Sequence, residues 1–164
     1  MAKVTNNIVF DNCRIGFRNF SGKEGKFNPP GKKNFCVFID DNEFAKRLES
    51  DGWNVRYLTP RNEGEEEQAL LNVSVSYDPY PPTIFLVTNT QKTLLDNETV
   101  SMLDWAEIKN VDLVVRPYNY EVNGRSGVKA YCKSMYVTIV EDEFADKYRD
   151  VPSSNDPTSS FPED

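Results

Sequence analysis

Histidine is absent from this sequence of 164 residues, and its absence excludes more functions than any other feature of the composition. Without imidazole there is no Ser-His or Cys-His nucleophile pair and no His-ligated zinc. The chain also lacks the side chain whose unperturbed pKa lies nearest to neutral pH. Most hydrolase chemistries are therefore excluded, which leaves carboxylate or lysine chemistry and binding without catalysis.

Cysteines and long apolar runs are also scarce. Cys13, Cys36 and Cys132 are widely spaced and form no CxxC pair, so we expect neither a disulfide framework nor a zinc cluster and interpret them as reduced and buried. No apolar run approaches the roughly 18 residues that a membrane span needs. The first residues lack the apolar stretch of a signal peptide. We therefore expect a cytoplasmic protein with no membrane partner and no cofactor.

The net charge of −7 is distributed unevenly along the chain. Residues 1–39, the first basic segment, hold seven basic side chains against two acidic ones. Residues 116–140, the second basic segment, hold four basic side chains against one acidic one. The stretches 40–115 and 141–164 are acidic. A basic segment is either ordinary solvated charge or a contact surface for a polyanion, and the charge alone leaves both interpretations open.

Alternating and β-branched residues predict five to seven strands. The first covers residues 8–20, with Phe17 on the core face and Arg14, Arg18 and Phe20 on the other face. Further strands are predicted at 35–39, 53–58, 70–77, 83–88, 111–122 and 128–140. The last two are joined by Asn123-Gly124-Arg125-Ser126-Gly127, which is typical of a hairpin turn. Residues 21–33 are predicted to be an exposed loop because they combine three glycines with Pro29-Pro30.

Short helices are predicted between these strands. Asp40 or Asp41 can cap a helix over residues 42–50 that Gly52 ends. A second helix over residues 99–105 would bury Val100 and Leu103, with Trp105 as a third member of the same face, and a third is predicted at 141–148. The resulting fold class is all-β with short helices, and its size fits an OB-fold-like five-stranded Greek-key barrel. We expect this domain over residues 1–149 and a disordered acidic tail over 150–164.

Both basic segments are interleaved with aromatic side chains, which is the composition of a site for single-stranded nucleic acid. Cations follow the phosphates, and rings stack on bases without requiring a particular sequence. The alternative is that these rings pack in the core. The predicted binding residues are Arg14, Arg18, Phe20, Lys23, Lys26, Phe27, Lys32, Lys33, Arg116, Tyr118, Tyr120, Arg125, Lys129, Tyr131 and Lys133.

Two further patterns concern partners and catalysis. The tail ends with Phe161 among acidic residues that include Glu163 and Asp164. It is either a solubilising appendage or a peptide that docks on partner proteins and competes with DNA.

Glu107-Ile108-Lys109 matches the E-x-K end of a metal-dependent nuclease motif, with Asp96 or Asp104 as a second carboxylate for Mg²⁺. A pattern of three residues is common by chance, so we do not predict an enzyme.

Several stretches resemble a family of tailed-bacteriophage single-stranded DNA-binding proteins. They are residues 14–20, 33–38, 51–55, 109–118 and 123–131, and the similarity covers about residues 8–148. The resemblance implies an OB-fold core, no enzymatic activity, and protection of single strands during phage replication and recombination inside a bacterial host. The tail would then recruit replication or recombination proteins, and a homo-oligomer is possible. The alternative from another class is a phage protein-interaction or structural module built on the same barrel.

Overall fold

The computed structural model describes residues 4–26, 28–60, 63–78 and 80–140. Its largest element is a hairpin of two strands, β8 (Ile108–Val122) and β9 (Arg125–Ile139). They pair antiparallel from Ile108 opposite Ile139 to Val122 opposite Arg125. Asn123 and Gly124 form the connection, with φ values of 53° and 79°. Both are left-handed, as a two-residue type I′ turn requires. The predicted hairpin is confirmed, with a turn shorter than the predicted five residues.

The remaining strands of the barrel are β1 (Ile8–Cys13), β2 (Ile15–Asn19), β3 (Lys33–Ile39) and β5 (Gln68–Val75). The hydrogen-bonded order is β1-β8-β9-β5-β3-β2. Its two end strands, β1 and β2, are separated in the chain by Arg14 alone, so the sheet curls until its ends lie side by side. With β1 and β2 counted as one bent strand, this is the partly open five-stranded barrel of the OB-fold, with β5 and β9 parallel. The predicted β-rich barrel is confirmed.

Three short strands extend the sheet beyond these barrel strands. They are β4 (Val55–Leu58), which pairs with β5, β6 (Thr83–Val87), which runs parallel to β9, and β7 (Lys92–Leu95), which pairs with β6. The described residues therefore hold nine strands in one sheet. β7 was not predicted, because its four residues are too few to show an alternation of apolar and polar side chains.

The helix α1 (Asn42–Asp51) follows β3 and confirms its prediction. The Asp41 carboxylate accepts hydrogen bonds from the backbone N–H groups of Glu43 and Phe44, and Gly52 ends the helix with a left-handed φ of 106°. Ala45 and Leu48 are buried against the sheet.

The second predicted helix is a 3₁₀ helix, Thr99–Asp104, which buries Val100 and Leu103. Trp105 follows it and is 68% exposed, so its predicted place on the buried face is wrong. The reason is the pitch. A 3₁₀ helix repeats every three residues, which aligns Val100 with Leu103 but not with Trp105.

The first predicted strand is bent, and the bend exchanges two phenylalanines. Phe17 has a φ of 50°, and the register between β2 and β3 shifts between Gly16 and Asn19. Beyond this bulge the alternation of faces is reversed. Phe17, predicted to face the core, is 62% exposed. Phe20, predicted to face DNA, is completely buried and stacks on Phe35 with ring centroids 5.1 Å apart. The prediction that Phe20 contacts nucleic acid is therefore wrong.

Cys36 and Cys132 are buried and Cys13 is half-buried, and all three are free thiols. Burial raises the pKa of the Cys132 thiol to about 12 and that of Cys13 to about 11. In the part of the chain that the structure describes, no helix is long and apolar enough to cross a membrane. The predicted helix at 141–148 and the predicted tail at 150–164 lie outside the described residues.

Candidate nucleic-acid interface

Strand register places residues from both basic segments on one outer face of the barrel. Asn34 on β3 pairs with Ser74 on β5, Ser74 pairs with Tyr131 on β9, and Tyr131 pairs with Arg116 on β8. Directly paired residues point to the same side of a sheet, so these four side chains form one row across four strands. Tyr118 pairs with Lys129 one step nearer the hairpin turn and extends the row.

A groove of about 560 Å³ runs between this face and the loop that precedes β3. The loop contributes Lys32 and Lys33 from the first basic segment, and β9 contributes Lys129 and Tyr131 from the second. The fold thus joins two basic stretches that are about 100 residues apart in sequence. The rest of the lining is mostly polar and consists of Asn28, Pro29, Pro30, Gly31, Asn34, Asn72, Ser74, Val75, Ser76, Tyr77, Asp78 and Asn97.

Tyr131 is the centre of a cluster of rings and cations at the groove. The Arg116 guanidinium carbon lies 4.8 Å from the centre of the Tyr131 ring, and the Lys129 ammonium lies 5.1 Å from it. Tyr118 meets the same ring edge to face at 5.9 Å and is itself 52% exposed. Cations held over aromatic rings remain available to phosphates, and an exposed ring offers a stacking surface for a base.

Tyr120 is more enclosed than its neighbour Tyr118. Its ring lies over Gly127, where an added Cβ would come within 2.6 Å of the Tyr120 hydroxyl oxygen. The hydroxyl donates a hydrogen bond of 3.3 Å to the Asn54 side-chain oxygen. Glycine at position 127 therefore makes room for the ring. The predicted site residue Tyr120 is therefore held against Gly127 and Asn54 at the edge of this face.

Lys33 lies at the groove but is held by the protein. Its ammonium donates to the side-chain oxygen of Asn97 at 2.6 Å and also to the Asn97 carbonyl oxygen, and it lies 5.6 Å from the Tyr77 ring centre. Partial burial lowers the pKa of Lys33, against the opposing effect of Asp96 and other nearby carboxylates. Lys33 thus connects the loop to the segment before the 3₁₀ helix and adds positive charge to the groove wall.

Two arginines of the first basic segment lie away from the groove lining. The Arg14 guanidinium forms an ion pair of 2.9 Å with Asp40 and lies 5.0 Å from the Phe38 ring centre. The Arg18 guanidinium donates to the carbonyl oxygens of Leu103 and Ala106 at 2.7 and 2.8 Å. Arg18 therefore satisfies carbonyl groups at the end of the 3₁₀ helix.

The other predicted residues are more dispersed. Lys23 lies 5.3 Å from the Trp105 ring centre, Lys26 is exposed, and Phe27 lies outside the described residues. Arg125 is exposed at the first position of β9. Lys133 lines a separate pocket of about 320 Å³ beside Arg116. The tail residues Phe161, Glu163 and Asp164 also lie outside the described residues.

Tyr80 and Trp105 are among the exposed rings that were not predicted as site residues. Tyr80, 71% exposed, lies 5.8 Å from the Arg116 guanidinium, and Trp105 contacts Lys23. Tyr80 stands among Pro79, Pro81 and Pro82, and prolines that interrupt a strand pattern are a signal for an exposed turn. The Trp105 position depends on the 3₁₀ pitch, which the sequence pattern does not reveal.

Two carboxylates of the nuclease alternative, Asp96 and Asp104, accept hydrogen bonds from backbone N–H groups. Asp104 accepts hydrogen bonds from the backbone N–H groups of Phe20 and Ser21 at 2.6 and 3.0 Å, and from the Ser21 hydroxyl at 2.7 Å. Asp96 accepts from the backbone of Glu98 and Thr99, and hydrogen bonds from Thr99 lower the pKa of Asp96. Among the described residues, no group of three potential metal ligands comes together.

A partly open barrel with a cationic, aromatic face beside a glycine-containing loop is the architecture of OB-type nucleic-acid-binding proteins. The sequence matches the phage ssDNA-binding domain family over residues 1–161, and the chain belongs to that family. No curated protein sequence matches it.

Three solved structures with a similar fold are those of the single-stranded DNA-binding protein from bacteriophage Enc34. Its complex with ssDNA gives a TM-score of 0.56 at 12% identity, over 88% of this chain and 96% of that chain. A second structure of the Enc34 protein gives a TM-score of 0.53 at 12% identity, over 97% of each chain. A C-terminal truncation gives 0.54 at 12% identity, over 87% and 94%. At this identity the likeness concerns the fold.

Proposed function

We propose that this protein binds single-stranded DNA without strong sequence preference, in the groove between the 28–33 loop and the outer face of β5 and β9. The observation that carries the proposal is the lining of that groove, which combines Lys32 with Lys129 and Tyr131. The family membership and the Enc34 complex with ssDNA support the same ligand. In this role the protein protects single strands during phage replication and recombination, inside the bacterial host cell.

The cations and the exposed ring at the groove have different roles in binding. Arg116 and Lys129 contact phosphates, because both lie over the Tyr131 ring at the open side of the cluster. Tyr118 stacks on a base, because about half of its surface is exposed beside these cations. Stacking accepts every base, since every base has a π-face, and so the site has no strong sequence preference. The function needs no catalytic step, and the backbone hydrogen bonds of Asp96 and Asp104 support a protein that is not an enzyme.

Residues 150–164 are proposed to compete with DNA for this groove. They carry Asp150, Asp156, Glu163 and Asp164 without a basic residue. Tethering can raise the effective concentration of such a segment to the millimolar range, so weak attraction suffices at low salt. Phe161 would then recruit a replication or recombination protein when DNA displaces the segment.

The test is a titration of oligo-dT and of duplex DNA across a salt series. We expect tighter binding to oligo-dT. Lys129→Gln should reduce the salt slope by about 0.7, the value for one phosphate contact on a single strand. Tyr118→Leu should weaken binding by about 1–3 kcal/mol without changing that slope. The matched control is Lys46→Gln, because Lys46 is exposed on α1 away from the groove.

Three outcomes would contradict parts of this proposal. Equal slopes for Lys129→Gln and the wild type would remove Lys129 from the phosphate contacts. No binding of oligo-dT by a folded wild-type protein would favour the protein-interaction module instead. A chain ending at residue 149 should bind oligo-dT more tightly at the lowest salt, and an unchanged affinity there would reduce the tail to a solubilising appendage.

A further inference from the structure

A second cluster of rings and a cation lies on the outer surface formed by β6, β7 and β9. Phe85 on β6 and Tyr136 on β9 stack with ring centroids 5.1 Å apart and an interplanar angle of 23°. The Lys92 ammonium on β7 lies 4.6 Å from the Phe85 ring centre and 5.6 Å from that of Tyr136. Tyr136 is 40% exposed. Rings and a cation are thus combined here as they are around Tyr131, outside the residues that the sequence analysis selected.

A β-bulge places this second cluster on the same face of β9 as Tyr131. Val115 pairs with Cys132 and Val114 pairs with Ser134, so Lys133 is the extra residue. Before the bulge the odd-numbered Tyr131 faces outward, and after it the even-numbered Tyr136 does, while Met135 is buried. Without the extra residue the alternation of the strand would turn Tyr136 into the core. The bulge therefore makes the outer face continuous along β9.

The surface between the two clusters is also aromatic and cationic. Arg116 reaches from the Tyr131 ring on one side to the Tyr80 ring, 5.8 Å away, on the other. Tyr80, Arg116 and Lys133 line the pocket of about 320 Å³. The loop that carries Tyr80 leads into β6, whose first residue Thr83 pairs with Ser134. A DNA strand that leaves the groove past Arg116 therefore meets the Tyr80 ring and the Lys133 side chain before it reaches Tyr136.

We propose that Phe85, Tyr136 and Lys92 form a second base-stacking subsite for single-stranded DNA, reached from the groove past Tyr80 and Lys133. This rests on the proposed function of the groove. Tyr131 and Tyr136 are five residues apart on β9, or roughly 16 Å at about 3.3 Å per residue. Only DNA that extends beyond the groove can therefore reach both rings. Asp112 pairs with Tyr136 on the β8 side. The phosphates therefore run on the opposite side, past Lys92.

The experiment compares binding to oligo-dT of about 4 and about 15 nucleotides, near the two ends of the usual range for one OB-fold. Tyr136→Leu should weaken binding of the longer oligonucleotide about tenfold, the effect of losing one stacked base, and leave the shorter one unchanged. Lys92→Gln removes a charge at an exposed position and does not depend on core packing. It should lower the salt slope by about 0.7 on the longer oligonucleotide only. Tyr57→Leu is the control, because Tyr57 lies on β4 and hydrogen-bonds to Glu49.

The outcomes separate this subsite from the groove. If Tyr136→Leu and Lys92→Gln bind both lengths like the wild type while Lys129→Gln weakens both, the second subsite is overturned and the groove stands. Equal weakening of both lengths by Tyr136→Leu also overturns it, because the defect then lies in the groove or the fold. A loss seen only on DNA long enough for two protomers would assign the cluster to a contact between neighbouring proteins. If Lys129→Gln and Tyr118→Leu are both without effect, the proposed function itself fails.

Discussion

The two basic segments have similar compositions and different uses. In the first, three cations are bound within the protein: Arg14 to Asp40, Arg18 to two carbonyl oxygens, and Lys33 to Asn97. In the second, Arg116 and Lys129 lie over the Tyr131 ring on an outer face. A cation that faces a carbonyl or carboxylate oxygen is neutralised or fixed, whereas one that faces a ring keeps its charge available. Interleaved cations and rings therefore indicate binding only where the fold gives the cations no oxygen partner.

The largest expected difference is between matched substitutions of one arginine from each segment. Arg18→Gln removes two hydrogen bonds to carbonyl oxygens and should lower the free energy of unfolding by about 2 kcal/mol, because hydrogen bonds of charged groups are the stronger ones. It should leave the salt slope of DNA binding unchanged. Arg116→Gln should do the reverse, with a slope lower by about 0.7 and stability nearly that of the wild type. Urea unfolding and the oligo-dT salt series measure both quantities.

The contrast between the segments breaks down if the two arginines behave alike. A lower salt slope for Arg18→Gln would return Arg18 to the phosphate contacts that the sequence predicts for it. A loss of stability in Arg116→Gln with an unchanged slope would make Arg116 another structural cation.

A smaller effect is expected at Gly127, which tests whether every ring of the second segment serves binding. Gly127→Ala places a Cβ within 2.6 Å of the Tyr120 hydroxyl oxygen, so the ring must move and its hydrogen bond to Asn54 is lost. We expect a loss of about 1 kcal/mol in unfolding free energy and an affinity for oligo-dT within about twofold of the wild type. Gly124→Ala is not a suitable control, because Gly124 has a left-handed φ. Ser126→Ala is the suitable control, because Ser126 precedes Gly127 on β9.

A marked loss of DNA affinity in Gly127→Ala with normal stability would contradict this assignment. It would place Tyr120 among the base-stacking rings, as the sequence analysis predicts.

The smallest effect is expected at Tyr77, which lies in the groove between the two segments. Its hydroxyl is buried without a hydrogen-bond partner among the described residues, and burial raises its pKa to about 12. Tyr77→Phe removes this unpaired group and should raise the unfolding free energy by up to about 1 kcal/mol at pH 7.

The same substitution should alter the alkaline limb of the stability curve. Above pH 10 the unfolded tyrosine releases its proton, whereas folded Tyr77 retains it until about pH 12. The wild type therefore loses stability between these pH values. Tyr77→Phe should lose less there, measured by urea unfolding at several pH values. An identical pH dependence for both proteins would mean that the hydroxyl is solvated.

Parts of this fold follow from short-range pattern alone. The hairpin follows from two long β-rich runs around Asn123-Gly124, and α1 follows from Asp41, the spacing of Phe44 and Leu48, and Gly52. These signals are local, because turn chemistry and capping act within a few residues. The interchange of Phe17 and Phe20 follows from a bulge. One residue of slip reverses a whole face, and Gly16, although typical of a bulge, does not give the position or direction of the slip.

The sequence by itself determined the class of the protein. The absence of histidine indicates binding rather than imidazole chemistry, because composition decides which chemistry is available. The alternating apolar positions indicate a β-rich core, and the basic segments rich in aromatic residues indicate a nucleic-acid ligand. Only the tertiary structure decided which cations are bound to oxygen atoms of the protein and which lie over aromatic rings. The curling of the sheet places Lys32 and Lys129 in the lining of one groove, Asp40 neutralises Arg14, and the Lys133 bulge turns Tyr136 outward. The first two bring together residues that are distant in sequence, and the third is a shift of register. All three depend on how the strands are arranged in the barrel rather than on any local pattern.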